Sequence, residues 1–225
     1  MTVELLNHTL NPDETIEKAA RICYNSKSGD YLKRKKFLQG LIKSGHTATI
    51  EHASATFKIS GVSRALTHEL VRHRLMSFCQ RSQRYCSEDG FKYVMPDTIA
   101  QHSKSDIIED ENMEKVAPSF CSMYAWYMEH IEKFYNEMVK AGIPKEDARY
   151  VLPNACCTEI IVTANFREWR HFLGLRLSPR AQWEIRNLAK EILRQLYSIA
   201  PIIFEDLYIE QFEGKEVKDV SNDKQ

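Results

Sequence analysis

The sequence has little glycine and lacks the loops in which glycine usually helps to hold a phosphate. It contains eight glycines in 225 residues, and neither G-x-G-x-x-G nor G-x-x-x-x-G-K-[ST] occurs. These loops bind phosphate through backbone N–H groups at a helix N-terminus. If the protein binds phosphorylated ligands, arginine side chains therefore have to hold them.

Long apolar segments and net charge are also missing. A membrane-spanning helix needs about 20 apolar residues, and the sequence has no such run and no basic-then-apolar leader. We therefore expect a cytoplasmic protein without a membrane partner. The 31 basic and 31 acidic side chains cancel, which argues against a broad nucleic-acid surface and against nucleic acid as a partner.

The six cysteines do not have the spacing of a disulfide framework. Adjacent cysteines such as Cys156 and Cys157 rarely bridge one another, and nothing else in the sequence suggests secretion. We interpret all six as thiols. The other four are Cys23, Cys79, Cys86 and Cys121.

Against this neutral background, residues 72–85 carry four arginines and a histidine without any acid. Crowded guanidinium groups repel one another and are costly to desolvate unless anions lie between them. Those anions are either carboxylates from elsewhere in the fold or phosphates of ligands.

The second half of this segment has an alternating pattern of polar side chains. In an extended chain, Gln80, Ser82 and Arg84 would direct an amide, a hydroxyl and a guanidinium at one object. These groups suit a polar ring that carries a phosphate. A helix end followed by a solvated basic loop explains the same composition, and the two interpretations stay open at this point.

Hydrophobic patterns predict a few strands among longer helices, with no regular alternation of the two, which is typical of the α+β class. Residues 1–212 are predicted to form a single domain, with a polar excursion at 97–115 and a charged, disordered tail at 213–225. The aromatic stripe of the helix near 119–140 is predicted to lie in the core or in a subunit contact. Helices are predicted from Pro12 to about 26, at 32–44, 63–71, 119–140, 146–152, 165–175 and from Ser178-Pro179 to Pro201, and strands at 53–60 (ended by Gly61), 91–95 and 158–164. Asn11, Ser63 and Asn165 are predicted helix caps, the last with Glu168 at capping-box spacing. The alternation of 53–60 places Phe57 on the buried face of its strand.

Several motifs carry a resemblance to a known family. Arg72-His73-Arg74 followed by seven residues and Ser82 has the form R-H-R-x7-S, the signature of flavin-dependent thymidylate synthases. The sequence resembles this family from roughly residue 46 to residue 185. The further matching segments are 44–46, 51–52, 64–71, 83–85, 148–153, 165–167, 175–176 and 181–185.

The resemblance implies a fold, an assembly and a reaction. The fold would be a twisted, mainly antiparallel sheet flanked by long helices, assembled as a homotetramer. The enzyme would use FAD as cofactor, with NADPH and 5,10-methylenetetrahydrofolate as co-substrates, to convert dUMP into dTMP. Reduced FAD would supply the hydride, so no enzyme nucleophile on uracil and no metal are expected.

The resemblance also implies ligand contacts for individual residues. His46 would lie near flavin and folate. Residues implied to bind dUMP are Glu69, Leu70, Val71, Arg72, Gln80, Arg81, Ser82, Gln83, Arg84, Arg149 and Arg176. Residues implied to bind FAD are Arg72, His73, Arg74, Gln80, Asn165, Phe166, Arg167 and His171.

Arg176 is the predicted catalytic residue. It lies between Leu173, Leu175 and Leu177 in an apolar segment, where an unpaired guanidinium would be costly. Placed against a uracil carbonyl, its charge would stabilise negative charge that develops on the ring. A structural salt bridge is the alternative role. Cys79, although inside the signature, is predicted to take no part.

Three positions depart from the family pattern. Arg81 replaces an apolar residue, Ala48 replaces a hydroxyl near flavin, and His171 replaces an amide.

Two other functions are alternatives. A nucleic-acid-binding module formed by residues 63–84 would bind in a strongly salt-dependent way. A zinc hydrolase is disfavoured because His68 and His73 are five residues apart, whereas two ligands on one helical face need a spacing of four.

Overall fold

The computed structural model describes residues 1–102 and 119–214. The chain divides into two compact units. Unit 1 comprises Met1–Ile59, Glu69–Cys79 and the chain from Ile160 onward, and unit 2 comprises Ser60–His68 and Gln80–Glu159. The chain therefore passes between the two units four times.

The described elements confirm the α+β class. They form one four-stranded antiparallel sheet in the order β1–β2–β4–β3, and the helices lie between and after its strands along the chain. A 3-10 helix at Thr47–His52, another at Arg149–Val151 and a π-helix at Ile209–Glu213 complete the described elements. In chain order the elements are β1 (Thr2–His8), α1 (Pro12–Tyr24), α2 (Tyr31–Lys43), β2 (Ser54–Ser63), α3 (Arg64–Leu70), β3 (Ser77–Gln80), α4 (Asp97–Gln101), α5 (Phe120–Lys140), α6 (Lys145–Ala148), β4 (Cys157–Asn165), α7 (Phe166–Arg176), α8 (Trp183–Ile199) and α9 (Pro201–Tyr208).

The core of unit 1 forms where α7 packs on strand β2. Phe57 is fully buried, as the alternation of 53–60 predicted, and its ring meets Trp169 edge-on at 5.1 Å. The indole of Trp169 also donates a hydrogen bond to the carbonyl of Ala55 at 3.1 Å. This anchored aromatic contact fixes α7, which carries several of the predicted ligand-binding residues, on the sheet.

Helix α7 begins where its sequence predicts. The Asn165 side chain accepts a hydrogen bond from the backbone N–H of Glu168 at 2.9 Å, so the capping pattern read from the sequence is confirmed. Asn11, in contrast, makes no side-chain cap for α1 and adopts a left-handed backbone with φ of 45°. Asn tolerates this conformation, and Pro12 then starts the helix.

In unit 2, helix α3 is capped by Ser63, whose Oγ accepts from the backbone N–H of Leu66 at 3.0 Å, as predicted. The long helix α5 buries Tyr135 and Met128. Other aromatic side chains of its predicted stripe, Phe120 and Phe134, are about half exposed. A core position is therefore wrong for those residues, while a subunit contact stays a prediction.

Two predicted boundaries and one predicted strand are wrong. Gly61 does not end the strand, because its φ of 69° lets β2 continue to Ser63. Residues 91–95 form only an isolated bridge between Tyr93 and Cys156. Helix α8 begins at Trp183, since Gln182 accepts hydrogen bonds from two backbone N–H groups of its first turn.

Other parts of the chain were missed or lie outside the described residues. Strands β1 and β3 were not predicted, and Pro201 starts α9 as well as ending α8. Helix α4 opens the predicted excursion, whose residues 103–115 lie outside the described part, as do residues 215–225 of the predicted tail. None of the described helices is long and apolar enough to cross a membrane.

Candidate active site

A cleft of about 1040 Å³ in unit 1 brings together many of the predicted ligand-binding residues. Its volume lies at the upper end of the range of roughly 300–1,000 Å³ that ligand pockets occupy. The cleft can therefore hold a ligand as large as a dinucleotide cofactor. Its lining residues are Glu51, Arg72, His73, Arg74, Leu75, Asn165, Arg167, Glu168, His171, Leu175 and Arg176.

The R-H-R motif lies in the turn that follows α3. The backbone N–H groups of Arg72 and His73 donate to the carbonyls of Glu69 and Leu70, at 3.2 and 3.1 Å, so the helix ends in a tight turn. Because of this turn, His73 is buried while the arginines on either side of it are exposed. The helix-end interpretation is therefore confirmed for this half of the motif.

Arg72 and Arg74 have no hydrogen bond or ion pair to another described residue through their side chains. Both line the cleft and both are exposed. Two guanidinium groups this close in sequence, with no carboxylate of the described chain between them, leave a positive field in the cleft. Such a field suits an anionic ligand with several acceptor oxygens.

Arg176, at the C-terminal end of α7, is held on two sides. Its Nη1 donates to the Glu69 carboxylate at 2.6 Å and its Nη2 to the Glu69 carbonyl at 3.3 Å. Its Nε donates to Nε2 of His73 at 3.1 Å. A guanidinium has five N–H groups, so two remain for a ligand, and the side chain keeps 20% of its surface exposed.

His73 is neutral in this arrangement. Burial, then the positive charge of Arg176 and the neighbouring His171, lower the pKa of His73 to about 4. Because Nε2 accepts a hydrogen bond from Arg176, the one proton of the neutral ring lies on Nδ1. Nδ1 faces Oε1 of Glu168 at 3.9 Å.

The same histidine belongs to a cluster whose geometry resembles a metal site. Ligand atoms of His73, Glu168 and His171 lie within 4.8 Å of one another. A metal ligand needs a free lone pair, and His73 has none to give, since Nε2 accepts from Arg176 and Nδ1 carries the proton. The adjacent guanidinium also repels a cation, so the donor set does not fit a metal ion.

Other predicted FAD contacts lie on α7 and beside it. Arg167 pairs with Glu51 at 2.5 Å, and His171 lines the cleft with an exposed ring. The Phe166 side chain, in contrast, is fully buried and packs against Phe204 at 5.2 Å, away from the lining. His46 is exposed just before the 3-10 helix Thr47–His52 and is not among the lining residues.

The three residues predicted to form a wall of the dUMP site differ in exposure. Glu69 is held by Arg176, as described above. Leu70 is fully buried in the core, whereas Val71 is exposed. The side chains of Val71 and, to a similar extent, Glu69 are therefore accessible to solvent, and that of Leu70 is not.

In unit 2, Glu146 brings two predicted dUMP-binding arginines together. Its carboxylate accepts a hydrogen bond from Nε of Arg84 at 3.1 Å, and Nη2 of Arg84 lies 3.1 Å from the same oxygen as an ion pair. Its carbonyl accepts from Nε of Arg149 at 3.0 Å. Arg84 also lies over the ring of Tyr85 at 5.3 Å. Two guanidinium groups are thus gathered at one point of unit 2.

The remaining predicted dUMP contacts lie at the end of β3 and in the loop that follows it, the loop that also carries Arg84. Gln80 donates to the hydroxyl of Thr67 at 2.9 Å, which orients its amide. Ser82 closes a turn, since its Oγ accepts from the backbone N–H of Arg84 at 3.2 Å. Arg81 donates to the carbonyl of Ser87 at 3.0 Å, and Gln83 is half-buried. The loop after β3 is therefore ordered by its own polar groups.

The thiols of Cys156 and Cys79 differ in burial. Burial raises the pKa of the Cys156 thiol to about 12, so it stays protonated at neutral pH. Cys79 is exposed on β3. The described cysteines are all free, as expected from their spacing.

Sequence reasoning missed the carboxylates that hold these arginines. Glu51 lies in a segment that matches the family and Glu146 in a predicted helix, and neither position indicates an arginine partner; Glu168 stands out only by its place in a capping pattern. A salt bridge between residues more than 60 positions apart, such as Arg84 with Glu146, leaves no periodic signal in the sequence. The capping pattern of Glu168 was the one available sign.

Comparisons with known proteins agree on one family. The family described as "Thymidylate synthase complementing protein" matches residues 4–202. A flavin-dependent thymidylate synthase of Geobacter sulfurreducens is 43% identical over 215 residues, which cover 92% of this chain and 86% of that protein. The enzymes of that name from Clostridium tetani and Pyrococcus furiosus are 42% and 40% identical, covering 90% and 89% of this chain and 84% and 82% of theirs.

Proposed function

The chain belongs to the family of flavin-dependent thymidylate synthases, and we propose that it catalyses the reductive methylation of dUMP to dTMP. In this proposal 5,10-methylenetetrahydrofolate donates the one-carbon unit, and NADPH is the reductant. The observation that carries the proposal is the cleft of unit 1, where Arg72 and Arg74, whose guanidinium groups have no partner among the described residues, lie beside Arg176.

FAD fits the donor set of this cleft. Its pyrophosphate needs several cationic or N–H donors in the absence of a glycine-rich loop, and the guanidinium donors of Arg72 and Arg74 are not taken up by any residue that the structure describes. Asn165, Arg167 and His171 would bind other polar parts of the cofactor along α7. When bound, FAD would accept a hydride from NADPH and supply the hydride that completes the methyl group.

We assign dUMP to the loop after β3 and to Arg149. Arg84 and Arg149, gathered at Glu146, would bind the phosphate. Gln80, Arg81, Ser82 and Gln83 would offer an amide, a guanidinium, a hydroxyl and a second amide to the rest of the nucleotide. The family resemblance also implies dUMP contacts for Arg72, Arg176, Glu69, Leu70 and Val71, and for Leu70, whose side chain is fully buried, the proposed contact is limited to the backbone.

Arg176 is the proposed catalytic residue. Glu69 and His73 hold its guanidinium in one orientation and leave two N–H groups for the uracil edge. A fixed positive charge at a carbonyl stabilises the negative charge that develops on the ring when C5 attacks the one-carbon unit. The ion pair with Glu69 and the catalytic role are compatible, because the pair orients the group without using all its donors.

We propose that no enzyme nucleophile adds to uracil. Cys156 stays protonated at neutral pH because burial raises its pKa to about 12. Cys79 lies on an exposed position of β3 with no described base beside it. Ser82 has its Oγ in a hydrogen bond with a backbone N–H, which suits binding rather than attack.

The assembly, the folate site and the location are further parts of the proposal. We propose a cytoplasmic homotetramer, to which the exposed aromatic side chains of α5 would contribute contact surface. His46, exposed before its 3-10 helix, would lie near flavin and folate. Analytical ultracentrifugation of the purified protein decides the oligomeric state.

A spectrum followed by turnover tests the proposed function. The purified protein should be yellow, with an absorption band at about 450 nm that NADPH bleaches. The band should return in a step that requires both dUMP and 5,10-methylenetetrahydrofolate, with formation of dTMP. A colourless protein that binds nucleic acid in a salt-dependent way would overturn the proposal.

A further inference from the structure

Glu168 is a buried carboxylate for which the proposed function has no role. It is the third residue of α7 and keeps 6% of its surface exposed. Its backbone N–H is fixed by the Asn165 side chain, which caps the helix. Among the described residues, its carboxylate accepts no hydrogen bond from a side chain, and its ion-pair contact is with Nδ1 of His73 at 3.9 Å. A buried carboxylate held in this way calls for an explanation.

The ring of His73 connects Glu168 to Arg176. Oε1 of Glu168 lies 3.9 Å from Nδ1 of His73, too far for a direct hydrogen bond but close enough for strong attraction to an N–H dipole. On the opposite side of the ring, Nε2 accepts from Nε of Arg176 at 3.1 Å. The ring is packed edge-on against Phe172 at 5.1 Å, which limits its rotation.

We infer that Glu168 is a positioning residue for the proposed reaction: it keeps the proton of neutral His73 on Nδ1, so that Nε2 can accept from Arg176. With the proton on Nε2, two N–H groups would face each other and Arg176 would lose one of its two anchors. Carboxylates that hydrogen-bond to the Nδ1–H of a functional imidazole fix its tautomer, and Glu168 would favour the same tautomer by attraction between its charge and the N–H dipole. The inference rests on the proposed function only in its kinetic part.

Two other roles for Glu168 make different predictions. A metal site would need one ring nitrogen of His73 and one of His171 to offer a lone pair. For His73 the hydrogen bond from Arg176 prevents this. A purely structural role, as a helix-terminal charge at the start of α7, would act on stability alone. Glu184 is a matched control for that role, since it is also buried and lies in the first turn of α8.

The first test reads the tautomer directly in the full-length protein. With ¹⁵N-labelled histidine, the ring signals of His73, assigned by comparison with a His73→Asn variant, should show protonated Nδ1. Glu168→Gln should increase the Nε2-protonated fraction and should raise the exchange rate of the Arg176 Nε–H about tenfold. Glu184→Gln should change neither signal.

The second test follows turnover. In Glu168→Gln we expect kcat for dTMP formation to fall about tenfold, with KM for dUMP and bound flavin little changed, because Arg176 keeps its Glu69 anchor. Glu168→Asp keeps the charge and should recover part of the loss. If the wild-type protein makes no dTMP, the proposed function fails, but the nitrogen signals still decide the inference.

Unchanged His73 and Arg176 signals in a folded Glu168→Gln protein would overturn the inference. A change of thermal stability equal to that of Glu184→Gln, without any effect on the tautomer, would assign Glu168 a structural role instead. Binding of Zn²⁺ that requires Glu168 and shifts both ring nitrogens of His73 would also overturn it.

Discussion

Arg167 and Arg176 reach carboxylates of the chain itself, at 2.5 Å from Glu51 and 2.6 Å from Glu69, whereas Arg72 and Arg74 in the same cleft reach none among the described residues. The paired arginines have a fixed direction before any ligand arrives. The unpaired ones keep their donors available for an anion. The difference separates arginines that are oriented by the protein from those that a ligand has to neutralise.

Arg176→Ala should give the largest effect, because it removes an oriented charge from the proposed transition state. We expect kcat for dTMP formation to fall by about 10² to 10³-fold, the usual range for loss of one preorganised donor. Bound flavin should stay, as measured by absorbance per chain. Arg180→Ala, which removes an exposed arginine four residues away, is the control.

Two results would contradict this assignment for Arg176. Turnover that stays unchanged would remove it from the mechanism. Loss of flavin together with thermal stability would make its ion pair with Glu69 structural only.

The double variant Arg72→Ala, Arg74→Ala tests the unpaired arginines. We expect the dissociation constant for FAD to rise about 100-fold, since hydrogen bonds to charged groups contribute roughly 1.5–3 kcal/mol each. The stability of the flavin-free protein should not fall, because neither side chain has a described partner to lose. Flavin fluorescence and thermal unfolding measure the two quantities.

A charge-matched control separates specific contacts from net charge. Lys33 and Lys36 are exposed on α2, and their double alanine variant also removes two positive charges. Equal loss of flavin affinity in both double variants would mean that long-range charge, and not contact with Arg72 and Arg74, retains the cofactor.

The same contrast between paired and unpaired charges occurs on α1. Glu17 accepts from Arg21 and Arg34, both at 2.8 Å. Although burial opposes this, the two arginines lower the pKa of Glu17 below its usual value. Asp13, one turn earlier, accepts from the backbone N–H of Ile202 at 3.2 Å, but its other oxygen is buried without a hydrogen-bond partner in the described part of the chain. Burial raises the pKa of Asp13 to about 6.

Asp13→Asn should therefore stabilise the protein at neutral pH. The folded state holds a proton on Asp13 more tightly than the unfolded state does, so wild-type stability falls as pH rises from about 4 to about 6. Two pKa units set an upper limit of about 3 kcal/mol, and we expect about 1–2 kcal/mol because Oδ2 keeps its hydrogen bond. Urea unfolding at pH 8 and pH 4 measures the gain, which should vanish at pH 4.

Glu17→Gln supplies the opposite sign on the same helix. It should destabilise the protein at neutral pH, because two arginines lose their acceptor, and this difference should shrink as pH falls below the ordinary pKa of glutamate. A gain of stability at pH 8 from both substitutions would contradict the assignment of Asp13 and Glu17 to different classes.

Local signals in the sequence predicted much of the fold. The alternation of 53–60 predicted a strand with Phe57 inside, and the caps Ser63 and Asn165 predicted the starts of α3 and α7. Strand β3 was missed because its Ser77–Gln80 segment has no apolar alternation strong enough to distinguish it from a loop. Its pairing with β4 is a long-range contact.

The candidate site was predictable as a set of residues but not as an arrangement. The R-H-R motif identified the arginines, yet the separation of Arg176, held by Glu69, from Arg72, with no described partner, depends on the turn after α3. That turn buries His73 and exposes its neighbours. Neither spacing nor composition contains this information, since the motif is compatible with a helix end and with an extended chain.

The smallest expected effect concerns Arg84, a paired arginine in unit 2. Its partner Glu146 is half exposed, as is Arg84 itself, and exposed ion pairs contribute only about 0–1 kcal/mol. Glu146→Gln should hence leave thermal stability nearly unchanged. Because it frees the Arg84 guanidinium for a phosphate, KM for dUMP should fall about two- to threefold, with the reduction strongest at low salt.

Glu191→Gln, which breaks the exposed pair with Arg194 in unit 1, is the control and should leave KM unchanged. A rise in KM for Glu146→Gln would mean that Glu146 orients Arg84 for the substrate, which would move Arg84 into the same class as Arg176.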